Sequence, residues 1–227
     1  MGIESPEGLD RKLTLNYYSR MRFASNLLPL LRPTASTTTP QFSRVLSILG
    51  AGFEGSINLL DLPLKKSFSA SKCADHSTTM NSLMVSEFAS REPGISFTHS
   101  SPGIVLTPIG RELPIWARGA LKVLTPLLKI SGATVSVEET GERQLFIATS
   151  GLFAPREGVK GVDAKELGVA KGADGKEGSG GYLVGWNGEI TGKPVVKKYQ
   201  EEGLGKTIWD HTVGVFGDVE KINEERK

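Results

Sequence analysis

Chemistry first suggests itself at Gly50-Ala51-Gly52-Phe53-Glu54-Gly55, which spells G-x-G-x-x-G directly after the apolar run Val45–Leu49. Glycines so spaced can bring backbone amides up to a pyrophosphate when a helix opens at the third glycine. Here the following Ser56–Leu62 meets Pro63 within two turns, so the context favours a glycine turn after a sheet strand. His76 is a candidate acid–base group because an imidazole titrates near neutrality; the competing reading is a satisfied or exposed histidine. One cysteine, Cys73, excludes an internal disulfide framework and a Cys-based zinc site. The three histidines, His76, His99 and His211, are too scattered for a His-rich metal centre.

Those residues need elements to hold them. Leu9, Leu13, Tyr17, Ala24, Leu27, Leu28 and Leu31 recur at helical spacing, which predicts a helix over 7–31. Asp10 or Ser5 caps it, and Pro29 and Pro33 mark its end. Val45–Leu49 reads as a buried strand. A second helix over about 71–90 carries Met80, Leu83, Met84 and Phe88, and Pro93-Gly94 stops it. Ile95–His99 is a second strand. A third helix is expected over 116–130, and a fourth over 137–150 from the capping box Ser136-x-x-Glu139. Residues 151–181, rich in Gly, Lys and Glu, read as an irregular surface excursion. Tyr182–Trp186 is a third strand and 204–219 a last helix. Strands alternating with helices argue for a parallel sheet covered on both faces.

The 227 residues suffice for one α/β domain of ordinary size or two small ones. A net charge of +2, with Lys65-Lys66 and Lys197-Lys198 as scattered surface charge, gives no footprint for nucleic acid. No apolar run approaches the roughly 18 residues of a membrane helix. The N-terminus has neither a basic nor an apolar signal region, and Pro6 stands where a myristoylation pattern needs Ser or Thr. The expectation is a cytoplasmic protein in a reducing compartment.

The run Gly8-Leu9-Asp10 through Asn16-Tyr17-Tyr18-Ser19-Arg20 to Leu27-Leu28-Pro29-Leu30-Leu31 resembles the fourth-helix segment of short-chain dehydrogenases/reductases. Arg44–Leu49 is similar to that family's fifth strand, and Ser100–Thr107 to its P-G-x-V-x-T segment. Glu138–Thr149, Gly181–Val184 and Lys206–Phe216 resemble the helix, strand and closing helix that follow. The wording Asn-Tyr-Tyr-Ser-Arg-Met-Arg-Phe and His-Ser-Thr-Thr-Met resembles a divergent branch of filamentous fungi, similar to enzymes of secondary metabolism.

This resemblance implies an α/β fold: an incomplete Rossmann-like parallel sheet of about three strands flanked by helices, one truncated domain over 1–227. The chain would begin where the family's second half begins, without the Gly-rich cofactor turn. Strand 45–49 would then be an open edge, covered by a second copy or another chain. The resemblance also implies site residues. Asn16 falls on the family's Asn position; the other reading is a locally bonded helix Asn. Phe68-Ser69-Ala70-Ser71-Lys72 looks like Y-S-A-S-K with Phe replacing Tyr, which makes Lys72 a candidate beside its plainer reading as a solvated lysine. Other registers put the Lys position near Ala74, Thr78 or His76, and none gives Tyr plus Lys. The Ser position falls near Gly50, without a hydroxyl; Ser47 and Ser56 are nearest. Pro102, Gly103, Val105 and Thr107 are the expected cofactor side, or else a strand-ending turn.

The function implied is an NADP- or NAD-linked oxidoreductase of a small lipophilic carbonyl or alcohol, with no cofactor if the truncation is real. The alternatives are a non-redox isomerase or cyclase, and a non-catalytic remnant.

Overall fold

A computed structural model describes residues 2–35, 43–105, 119, 134–158 and 168–226. The third expected helix, 116–130, and Thr107 lie outside the described residues.

Helix α1 starts at Asp10, whose carboxylate accepts from the amides of Lys12 and Leu13 at 2.9 Å and so satisfies two orphan donors. It runs as one α-turn, Arg11–Leu13, a π-helical turn, Thr14–Tyr18, and an α-helix, Ser19–Ala35. Pro29 and Pro33 were expected to end it, yet both lie inside it. Its buried stripe, Leu13, Tyr17, Met21, Ala24 and Leu28, holds the helix against the core despite the lost amides.

Strand β1, Ser43–Ile48, pairs in parallel with β2, Ile95–Ser100, and β2 pairs in parallel with β5, Gly181–Val184. Helix α2, Ala70–Arg91, forms the β1–β2 crossover. A second small ladder joins β3, Ile104–Val105, to β4, Thr134–Val135. Helix α3, Val137–Thr149, is capped by Ser136, whose hydroxyl accepts from the Glu139 amide at 3.0 Å. Glu139 itself turns to Arg143 instead of closing the box. Then come a 3-10 turn, Gly151–Phe153, and two helices, α4 (Pro194–Glu201) and α5 (Leu204–Glu225). Helix α4 was not anticipated, although Pro194 sits where a helix tolerates proline, at its first position. The 151–181 excursion contains the 3-10 turn and a bridge between Lys171 and Glu177.

Among the described residues the main sheet has three strands in the order β1-β2-β5, with β1 at its edge. The fold class is therefore α/β and Rossmann-like, a parallel sheet flanked by helices, as the sequence implied.

Side chains alternate across the sheet with period two. Ile95, Phe97 and Leu183 enter the larger core with α1, α2 and α5; Leu46, Tyr182 and Val184 enter a smaller one with Ile147 and Phe153. Phe97 stacks on Phe88 at 5.1 Å, and Trp209 of α5 meets Phe88 edge-on at 5.0 Å. On the other face Arg44 reaches the end of α3. It donates to the carbonyls of Ile147, Ser150 and Phe153 at 2.7–2.8 Å, where a cation also suits the helix dipole.

Candidate functional site

In parallel α/β sheets, ligands bind outside the carboxyl ends of the strands. Here those ends are Ile48–Gly55 after β1, Ser101–Gly103 after β2 and Gly185–Trp186 after β5. One face of α2 lies over the first of them. Asp75, Thr78, Thr79 and Ser82 recur at helical spacing, and all four meet the glycine loop 50–55.

All three glycine amides of the loop, and that of Phe53, are spent inside the protein. Gly50 N–H donates to His99 Nε2 at 3.1 Å, and Gly52 N–H to Glu54 Oε1 at 3.1 Å. Phe53 N–H donates to the Gly50 carbonyl at 2.9 Å, and Gly55 N–H to Thr79 Oγ1 at 3.0 Å. A Cβ on Gly55 would overlap the Asp75 carboxylate, so that glycine serves a close approach of helix and loop. The G-x-G-x-x-G run is thus a glycine turn clamped by α2.

The clamp contains a buried relay. Because Gly50 donates to Nε2 of His99, the ring proton sits on Nδ1 and is donated to Ser82 Oγ at 2.9 Å. Ser82 donates in turn to Glu54 Oε1 at 2.8 Å. His99 is fully buried, and burial drives its pKa down to about 3, so the ring is neutral. Glu54 is 2% exposed, and its Oε2 has no partner.

A second chain of contacts starts at Arg20, which donates to the Ile48 carbonyl at 2.8 Å and to Ser47 Oγ at 3.2 Å. Ser47 donates to Asn81 Oδ1 at 3.1 Å, and Asn81 Nδ2 to the Asn16 carbonyl at 3.0 Å. Thr78 lies beside Gly50, at the start of the first chain. Its Oγ1 would stand 3.3 Å from a Cβ on Gly50, and it has no hydrogen-bond partner among the described residues. A helix hydroxyl therefore stands beside the strand-end glycine.

The residues singled out from sequence do not form one cluster. Asn16 sits on the π-helical turn and contributes its carbonyl. Lys72 is exposed at the start of α2, with its amide on the Ser69 cap. His76 is 1% exposed; Nε2 accepts from Asn58 N–H at 2.8 Å and Nδ1 faces the Leu62 carbonyl at 3.2 Å. Burial lowers its pKa, and its ring holds loop 58–62. Phe68 packs against the core beside a cavity of about 320 Å³ that Asp10, Lys65 and Lys66 also line. Pro102 offers its carbonyl to Thr140 Oγ1, and Gly103 N–H donates to Ser101 Oγ at 3.3 Å. Val105 lies in the ladder with Val135. Thr78, Ser82, Glu54 and His99 were missed as a group. The 75/78/79/82 spacing of polar residues in an otherwise buried helix was the available signal.

The glycine amides that a dinucleotide motif would offer are committed, and Lys72 is exposed at the start of α2. A pyrophosphate cradle would have to come from elsewhere. Among the described residues, no group of three or more His, Cys, Asp or Glu could hold a metal ion, and no helix is long and apolar enough to cross a membrane.

An oxidoreductase of Emericella nidulans is 39% identical over 214 residues, covering 92% of this chain and 62% of that protein. The chain is a homologue of fungal oxidoreductases. Another, from Emericella variicolor, is 33% identical over 95% of this chain and 63% of its own length. A short-chain dehydrogenase/reductase of Stachybotrys chartarum is 27% identical over 96% of the chain and 61% of its own length. The chain thus spans a little over three fifths of the length of these curated relatives. No family model matches it. A solved structure, an NADPH-bound carbonyl reductase from chicken fatty liver, is 16% identical and covers 85% of this chain and 63% of that one, with a TM-score of 0.41.

Proposed function

We propose that this homologue of fungal oxidoreductases serves an NAD(P)-linked reduction or oxidation of a small lipophilic carbonyl or alcohol, in secondary metabolism. The observation that carries this reading is the Thr78 hydroxyl, without a hydrogen-bond partner among the described residues, against Gly50 at the carboxyl end of β1. A hydroxyl in that place binds the oxygen of a carbonyl substrate and orients it. The relay His99–Ser82–Glu54 fixes the loop on which that geometry depends. The oxidoreductase relatives support the reaction class, and the sequence resemblance supports the nicotinamide and the metabolic setting.

The test is oxidation of NADPH or NADH by the folded protein in the presence of a lipophilic carbonyl such as cinnamaldehyde, cyclohexanone or menadione. Thr78→Val, which keeps the shape and removes the hydroxyl, should lower kcat/KM about tenfold to a hundredfold. A folded protein that consumes neither nucleotide with any of these would remove the redox reading. The second reading, a non-redox isomerase or cyclase, or a non-catalytic chain, is favoured by the Y-S-A-S-K-like register of 68–72, in which Phe68 would stand for the Tyr and carries no proton to give.

The partner reading concerns the edge strand. The β1 edge, with Ile48 37% exposed, is suited to cover by a second copy or another chain. Sedimentation at micromolar concentration tests this, and a monomer counts against it. The compartment proposed is the cytoplasm.

A further inference from the structure

A groove of about 280 Å³ runs between the π-helical turn of α1 and the C-terminal part of α5. It lies outside the strand-end crevice, and the proposed redox reaction does not use it. Leu9, Val215, Phe216 and Val219 give it apolar walls. Tyr18 lines it as well, and the Tyr18 hydroxyl is 2.8 Å from Nε2 of His211. The wide turn explains this placement. Tyr17 and Tyr18 are consecutive, yet both reach α5, at the consecutive residues Thr212 and His211. π-helical turns of this kind recur at functional sites.

The polar groups around the groove are mostly committed. Thr14 Oγ1 donates to the Asp10 carbonyl at 2.8 Å, and Ser19 Oγ to the Leu15 carbonyl at 3.1 Å. Arg22, also on the lining, is paired with Glu220 at 2.5 Å and lies over the Phe216 ring at 5.2 Å. The Tyr18 oxygen keeps spare capacity, as does the Asn223 amide, which has no partner among the described residues. A phenolic hydroxyl offers one donor and two acceptor positions, and His211 takes one of them. The ligand group must suit either direction of the Tyr18–His211 bond, since it accepts when His211 donates and donates when His211 accepts. A hydroxyl does both.

We propose that this groove binds a small lipophilic alcohol or phenol, with the ligand hydroxyl on Tyr18 and its hydrocarbon against Val215, Phe216 and Val219. The volume lies near the lower end of small-molecule sites, which suits a fused bicyclic or short terpenoid skeleton rather than a protein segment. The site stands independently of the redox reading.

Equilibrium dialysis with 1-naphthol and naphthalene tests it. The wild-type chain should bind 1-naphthol saturably and more tightly than naphthalene. Tyr18→Phe should weaken 1-naphthol about fivefold to tenfold and leave naphthalene unchanged, the size of one neutral hydrogen bond. Val215→Trp, at a half-exposed wall position that can take the larger ring, should abolish both. Near-ultraviolet circular dichroism establishes that each variant is folded. No saturable binding of 1-naphthol by the wild type overturns the proposal. So does equal 1-naphthol affinity in Tyr18→Phe, or unchanged binding in Val215→Trp.

Discussion

The amide of Gly50 donates to Nε2 of His99 at 3.1 Å, so a strand-end glycine is fixed by a histidine from the neighbouring strand. That bond requires a neutral ring, and burial supplies one by holding the His99 pKa at about 3. The folded pKa lies below that of the unfolded chain, so between those values the unfolded state binds more protons. The stabilisation is complete above pH about 6.5 and is lost as the pH falls towards 3. His76 and His211 shift in the same direction for the same cause. Urea unfolding between pH 6.5 and 4.5 should show stability falling by at least about 1.4 kcal/mol per pH unit at the lower end. His99→Asn should flatten that slope, and an unchanged slope would count against the buried relay.

The hydroxyl that α2 places beside the strand end can be moved onto the strand by substitution. Gly50→Ser alone requires Thr78 to yield by a few tenths of an ångström, because its Cβ would stand 3.3 Å from Thr78 Oγ1. Gly50→Ser combined with Thr78→Ala relieves that contact and restores one hydroxyl. If the hydroxyl binds substrate, the double variant should recover turnover that Thr78→Ala loses. Turnover equally low in Thr78→Ala and in the double variant would argue that Thr78 only packs.

The clamp between Gly55 and Asp75 should appear as coupling. Gly55→Ala should cost about 2 kcal/mol, since the added methyl overlaps the Asp75 side chain and either the loop or the helix must shift. In an Asp75→Gly background the same change should cost much less. A double-mutant cycle in urea measures this, and additive effects would contradict the close approach.

Arg44 is expected to be the most costly polar side chain on the α3 face. Arg44→Met keeps the aliphatic stem and removes the bonds to Ile147, Ser150 and Phe153. The expected loss is about 2–3 kcal/mol, which for a chain of this size lowers Tm by about 4–12 °C. Calorimetry decides it, and a change within about 1 °C would mean that solvent replaces the guanidinium.

Much of the architecture was legible in the residue pattern, and the reason is periodicity. β1, β2, α2 and α3 carry their own apolar repeats and caps, such as Ser136 with Glu139, so their bounds lie within two residues of expectation. Pro29 and Pro33 misled because their local cost is overridden by a buried stripe whose strength depends on distant partners, among them Thr212 bonded to Tyr17. Helix α4 was overlooked because its eight residues carry too short a repeat.

The sequence by itself determined the fold class and the alternation of strands and helices. Each of these is written in neighbouring residues or in a short spacing. Only the tertiary structure decided what the chemically suggestive residues do. His76 became a loop anchor, Lys72 remained in solvent, and the glycine run became a turn because His99 and Thr79, 49 and 24 residues away, consume its amides. Thr78 emerged beside Gly50 because the helix crosses the strand end there. Hydrogen-bond partners and close approaches between segments far apart in the chain are set by how helices pack on the sheet; the 75/78/79/82 spacing records a shared helix face but not what that face meets.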